Sequence, residues 1–199
     1  TTPALLLGNL HRATLLRAHI DRPTALRMIA GAIPGAVLGG LLAGVMPAWI
    51  LRVLLIALTT LAIAKALGFL SFKVPRSALV PAGFTVGGMT GTAGGAGILF
   101  APILLSAGLS GRTFVGTTSA IAVATHLGRA VGYAGLGLFS RDLVLPTVAV
   151  TIAIFAGNAL GERLRSLLAN RSERVGRAEK AIEYGTLVVC VTLSVAGLG

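Results

Sequence analysis

Long stretches of this chain carry no charge, and no other feature restricts its folding as strongly. Between Arg27 and Lys65 the only charged side chain is Arg52; none lies between Arg76 and Arg112, and none between Asp142 and Glu162. A helix needs ~20 mostly apolar residues to cross the hydrocarbon core of a bilayer. Inside that core every backbone polar group has to be satisfied by the element itself. Only 12% of the 199 residues are charged, against roughly a quarter in soluble domains. The expected fold class is therefore all-α, a polytopic membrane helix bundle. About 200 residues allow one bundle of roughly six to eight crossings and no sizeable domain outside the membrane, so any chemistry sits within it.

Breakers and charges predict helices over residues 1–18, 24–45, 48–70, 78–92, 113–138, 142–168 and 180–199, with a short apolar segment over 97–108 after a Gly-rich break. Twelve residues at ~1.5 Å rise cover only ~18 Å, so that segment reads as half of a broken or re-entrant helix. The connections around Arg17, Lys73, Arg112 and Arg171 are basic, whereas those at Met46 and Pro47, at the Gly-rich break and at Arg141 with Asp142 are neutral. Basic and neutral connections alternate if the short segment counts as a crossing. This places the basic side in the cytoplasm.

The 17 Lys and Arg against 6 Asp and Glu therefore read as topology. Nucleic acid is excluded as a partner, because no basic stripe with interleaved aromatics occurs. Cys190 is the sole cysteine, which excludes an internal disulfide or a thiolate metal cluster, and it reads as a lipid-facing or packed thiol. The chain starts at Thr1 without a charged n-region and cleavage site, so no signal peptide is read and the start reads as truncated.

An internal duplication underlies the hydropathy. Thr1 and Thr2 match Thr117 and Thr118, Asp21 matches Asp142, and Gly35, Leu38 and Gly39 match Gly157, Leu160 and Gly161. The division runs 1–72 for a first repeat, N-terminally incomplete with about three transmembrane helices, and 73–199 for a complete second one with about four and the half-helix. An odd number of crossings per unit gives inverted repeats, an architecture of secondary transporters that bind substrate at the repeat interface near the midplane.

The Gly-rich run from Phe84 to Leu105 includes Gly94, Gly95 and Gly97 and, after them, Pro102. It either leaves amides free for an anion at the start of the short segment or serves only close helix packing. Thr117, Thr118 and Ser119 offer hydroxyl donors to an oxyanion, or bond back to the preceding turn. Arg129 lies deep in its helix, where an arginine is costly enough to suggest function, with snorkelling to the headgroups as the alternative. His126 shares its helix face and titrates near neutrality, leaving proton coupling open beside a plain packing role. Thr1, Thr2 and Asn9 occupy the matching positions of the first repeat, with Asn9 and Arg12 slipped by one residue. Asn158 reads as bonding another helix.

Metal-ligand spacing, a nucleophile with its base, paired carboxylates and a phosphate-binding loop are absent from the sequence. No enzyme activity and no cofactor are expected, and any pumping is gradient-driven. The lack of an intramembrane acid disfavours a cation permease.

The Gly-rich run before Pro102, the Gly116, Thr117, Thr118, Ser119 string, and the segments IDRPTAL and RDLVLPT leading into IPGAVLGG and FAGNALGE together resemble the sulfite exporter TauE/SafE family of membrane permeases. The resemblance covers essentially the whole chain, apart from a first Gly-rich segment. It implies an inner-membrane permease for sulfite, sulfonates or related small anions, working by alternating access. A noncatalytic scaffold or assembly protein with glycine-mediated packing is the alternative. The lipid bilayer and a small anion are the expected partners, and homo-oligomer formation stays open.

Overall fold

The computed structural model describes residues 2–47, 49, 50, 53, 56, 57, 60, 64, 75–94, 99–138, 142 and 144–168. Its α-helices are α1 (Thr2–Leu15), α2 (Arg22–Val45), α3 (Leu79–Ala93), α4 (Phe100–Ser106), α5 (Gly111–Gly135) and α6 (Val144–Leu168). No strand occurs among the described residues. The described positions between 49 and 64 are helical. The rest of the helix expected over 48–70, and the one expected over 180–199, lie outside the described residues. Two helices, Arg22–Val45 and Val144–Gly161, are long and apolar enough to cross a membrane.

Glycine spacing on α2 and α3 explains how these helices meet. Gly31, Gly35 and Gly39 recur every fourth residue on α2, as do Gly83, Gly87 and Gly91 on α3. Residues four apart share a helix face. A Cβ on Gly31, Gly35 or Gly39 would overlap the carbonyl oxygens of Val80, Phe84 and Gly88; one on Gly83, Gly87 or Gly91 would meet those of Met28, Ala32 and Ala36. The two helices thus run parallel, backbone against backbone. Such proximity gives dense van der Waals contact and lets Cα–H groups face carbonyls, the usual means of helix association where lipid supplies no hydrophobic drive.

α5 packs on the adjoining face of α2, also in parallel. Gly128 stands against Ile33 and Ala36, and Gly132 against Val37 and Gly40. α1 runs the opposite way beside α5, since Gly116 near the start of α5 meets Leu16 and His19 at the end of α1. α6 lies parallel to α1, with Gly8 on Ile154 and Arg12 bonded to Asn158. The short α4 fills the space near the starts of α2 and α5. Its Phe100, Ile103 and Leu104 join Met28, Ala32, Leu79 and Ile121 in one buried cluster.

Charge is sorted by end. His19 and Arg112 line one cleft, and the charge of Arg76 reaches Asp21, so the described basic turns share one end of the bundle. At the other end Gly44 packs on Leu136 and the turns are neutral. Gly94 lies against Arg129, whereas Gly111 starts α5, 18 residues earlier. The chain therefore covers roughly 27 Å of axis between Gly94 and Gly111.

Asp21 joins the two basic-end turns. As the N-cap of α2 its carboxylate accepts from the Thr24 amide at 2.9 Å, and its own amide donates to Thr117 Oγ1 at 2.9 Å. Hydrogen bonding to Thr24, aided by Arg76, holds the Asp21 carboxyl below its ordinary value of 3.8 against a small opposing effect of burial. A depressed value stabilises the fold above the unfolded pKa, and the contribution is lost as pH falls through the folded one. Asp21→Ala is expected to lower unfolding stability by about 1 kcal/mol at neutral pH. Thermal melts against pH should show that difference constant down to about pH 4 and shrinking below it; a difference that persists undiminished at lower pH contradicts the charged cap.

Candidate functional site

The end of α3 and the last third of α5 meet around one cation. α3 stops at Gly94, which has φ +83° and whose amide bonds to the Thr90 carbonyl at 2.9 Å. Only glycine takes this left-handed conformation without strain. A Cβ there would lie 2.9 Å from both terminal nitrogens of Arg129. The guanidinium therefore occupies the space above Gly94 that any other residue would fill.

Arg129 is 9% exposed. One terminal nitrogen donates to the Tyr133 hydroxyl at 2.6 Å, and the guanidinium carbon lies 4.8 Å from the centre of the Tyr133 ring. Tyr133 in turn donates to the Gly91 carbonyl at 3.3 Å. The carbonyl end of α3 adds a favourable dipole, and the ring face a cation–π contact. These partners are neutral. The Arg129 Nε–H is buried and has no acceptor, and none of α2, α3 and α5 carries an acidic residue. The positive charge is held in place but not cancelled.

His126, one turn earlier and 7% exposed, has a buried Nδ1 without a hydrogen-bond partner. The hydroxyls near the start of α5 are arranged otherwise. Thr117 Oγ1 receives the Asp21 amide. Thr118 and Ser119 donate to the carbonyls of Phe114 and Val115, each at 2.8 Å. From Thr117 to Arg129 is ~18 Å along the helix, so these hydroxyls and the guanidinium do not share one pocket. In α1, Thr2 is buried and Asn9 donates to the Leu5 carbonyl at 2.8 Å. Thr1, Gly95 and Gly97 lie outside the described residues.

The sequence expectations passed over Tyr133. Its position four residues after Arg129 puts it on the same face, which was the available signal. They also passed over a cleft of about 350 Å³ lined by Arg12, His19, Arg112 and Asn158 at the basic end. His11 lies nearby, its ring edge-on to Phe155 at 4.8 Å.

A bundle of bilayer dimensions that keeps an arginine inside, among helices without a single acid, belongs to the helical membrane proteins. Comparison with protein families narrows this: residues 2–178 match the sulfite exporter TauE/SafE family, and the chain belongs to it. Membership makes it a membrane-integral transporter of the exporter type with a small anionic substrate, in a family of transporters rather than enzymes. No match was found among curated proteins or solved structures.

Tyr133→Phe keeps the ring but removes the hydroxyl shared by Arg129 and Gly91. Leaving those groups unsatisfied is expected to cost about 1–3 kcal/mol, read as a lowered unfolding temperature in uncharged detergent. An unchanged melt would show that the hydroxyl does not hold the guanidinium.

Proposed function

We propose that this protein moves sulfite, a sulfonate or a related small oxyanion across the bacterial inner membrane by alternating access, and that the anion binds at Arg129 beside the Gly94 break. The observation that carries the reading is the buried guanidinium with a spare Nε–H and no acid on the helices around it. A solute that supplies oxygen lone pairs and negative charge completes that environment. Arg is suited to planar, bidentate recognition of an oxyanion. Amides at Gly95 and Gly97 are the additional donors in this reading. Thr118 and Ser119 would first have to release their carbonyls, so their hydroxyls are secondary. His126 is the group available for proton coupling.

Helix directions support the inverted-repeat reading, with a first unit over 1–72 and a second over 73–199. The matched pair α1 and α5 run antiparallel. The pairing of α1 with α6 repeats that of α5 with α2, parallel in both cases. Thr2 and Asn9 then stand in the first repeat where Thr118 and the His126 region stand in the second, with Thr1 matching Thr117. Rocking one unit against the other would expose the anion to each side in turn. The shared end of the described basic turns supports a cytoplasmic placement of Arg17 and Arg112, and the charge pattern of the sequence adds Lys73 and Arg171 to the same side in this reading.

A scaffold role draws its support from the glycine rows of α2 and α3, which packing alone accounts for. Gly94 lies outside those rows, and packing does not explain a cation above it. Arg129→Gln in protein reconstituted in zwitterionic lipid is expected to weaken sulfite binding by at least about tenfold in calorimetry, with Arg129→Lys intermediate because it keeps charge but loses the fork. Unchanged affinity in both variants would remove Arg129 from the site.

A further inference from the structure

A second cationic site stands at the other end of the bundle, where α1, α6 and the first turn of α5 enclose the cleft of about 350 Å³. Arg12, His19 and Arg112 line it together with Asn158, and its remaining described walls are apolar or glycine. No acidic residue is among them. At ~30 Å³ per water, the space suits a small oxyanion that keeps several of its waters.

Arg12 is the only formally charged residue of α1, and one of its terminal nitrogens donates to Asn158 Oδ1. The Asn158 amide nitrogen donates to the Gly8 carbonyl at 3.3 Å. Asn158 is thereby turned with its oxygen toward Arg12, which orients the guanidinium without neutralising it. Arg112 lies in the first turn of α5, the end at which the helix dipole is positive. Its charge, that of Arg12 and the dipole add in one concave wall, the arrangement that concentrates anions.

Position relates this cleft to Arg129. Arg12 is the first repeat's counterpart of Arg129, and it borders the α1 to α6 contact as Arg129 borders the α5 to α2 contact. With Leu16 level with Gly116, Arg12 and Arg129 are separated by about 13 Å along the axis of α5. The cleft belongs to the basic end, and Gly94 to the neutral one.

We infer that this cleft is a second oxyanion-binding station, in which Arg12 and Arg112 hold the anion and Asn158 positions Arg12. It rests on the proposed function only for its pairing with Arg129; its own walls define it. Two sources carry the same chemistry, a free solute and the phosphate of an anionic lipid headgroup.

Calorimetric titration of the full chain with sulfite in zwitterionic nanodiscs tests the station. Two binding classes are expected. Arg12→Gln should abolish one of them, and Arg112→Gln, at an exposed position where packing is not at stake, should weaken the same class by at least about tenfold. Arg129→Gln should remove only the other class. If Arg112→Gln and Arg12→Gln fold normally and leave sulfite binding unaltered, and native mass spectrometry shows the same retention of phosphatidylglycerol as in the wild type, the station is overturned while the Arg129 site survives. If sulfite binding is unaltered but phosphatidylglycerol retention falls in both variants, the station stands with the headgroup as its ligand. Loss of a class with Arg12→Gln and none with Arg129→Gln would support the station and sink the Arg129 reading instead.

Discussion

The contact between the backbones of α2 and α3 is what the rest of this structure depends on. Lipid tails are as apolar as leucine, so membrane helices associate through close packing and weak polar contacts rather than by escaping solvent. Two rows of glycine at four-residue spacing supply both. Because each glycine faces a carbonyl of the other helix, a shift by one residue would drive side chains into backbone. The interface therefore fixes register as well as proximity. Gly40 extends it to α5, whose Gly132 lies on the same stretch of α2.

Register determines what lies above the end of α3. Gly94 follows Gly91 by three residues, and the fixed pairing of α2 with both neighbours brings it under Arg129. The cation is steadied by a hydroxyl, an aromatic face and a helix terminus, all without net charge. A carboxylate would have secured the arginine more firmly and left nothing for a solute to complete. An intramembrane arginine is costly when exposed to lipid, and here burial among small residues and a neutral partner keeps it from the hydrocarbon. The same economy recurs at Arg12, where a neutral Asn158 orients the guanidinium.

Much of the helical outline was legible because charge-free runs and breakers are long-range signals. The start of α2 at Asp21 with Pro23 follows directly from cap chemistry. The cluster from Gly87 to Gly97 was less transparent. Among its described glycines, Gly87 and Gly91 belong to the packing row and Gly94 makes the left-handed stop, and only the register with α2 separates them. Thr118 and Ser119 illustrate a further ambiguity: a hydroxyl in a helix satisfies itself on the preceding turn whenever nothing stronger competes. Thr117 differs only through contact with Asp21, 96 residues distant in sequence. Partners such as Tyr133 for Arg129, or Asn158 for Arg12, are chosen by tertiary packing, and spacing on one helix reveals the first but not the second.

The central claim is that a negatively charged solute completes the environment of Arg129 over Gly94. Electron cryomicroscopy of the protein in nanodiscs with selenite, a heavier relative of sulfite, tests it most directly. The account predicts selenite density on the Arg129 guanidinium with α3 ending at Gly94. An unbroken helix through Gly94 to Phe100, or an arginine turned out toward the headgroups with no density beside it, would contradict the account.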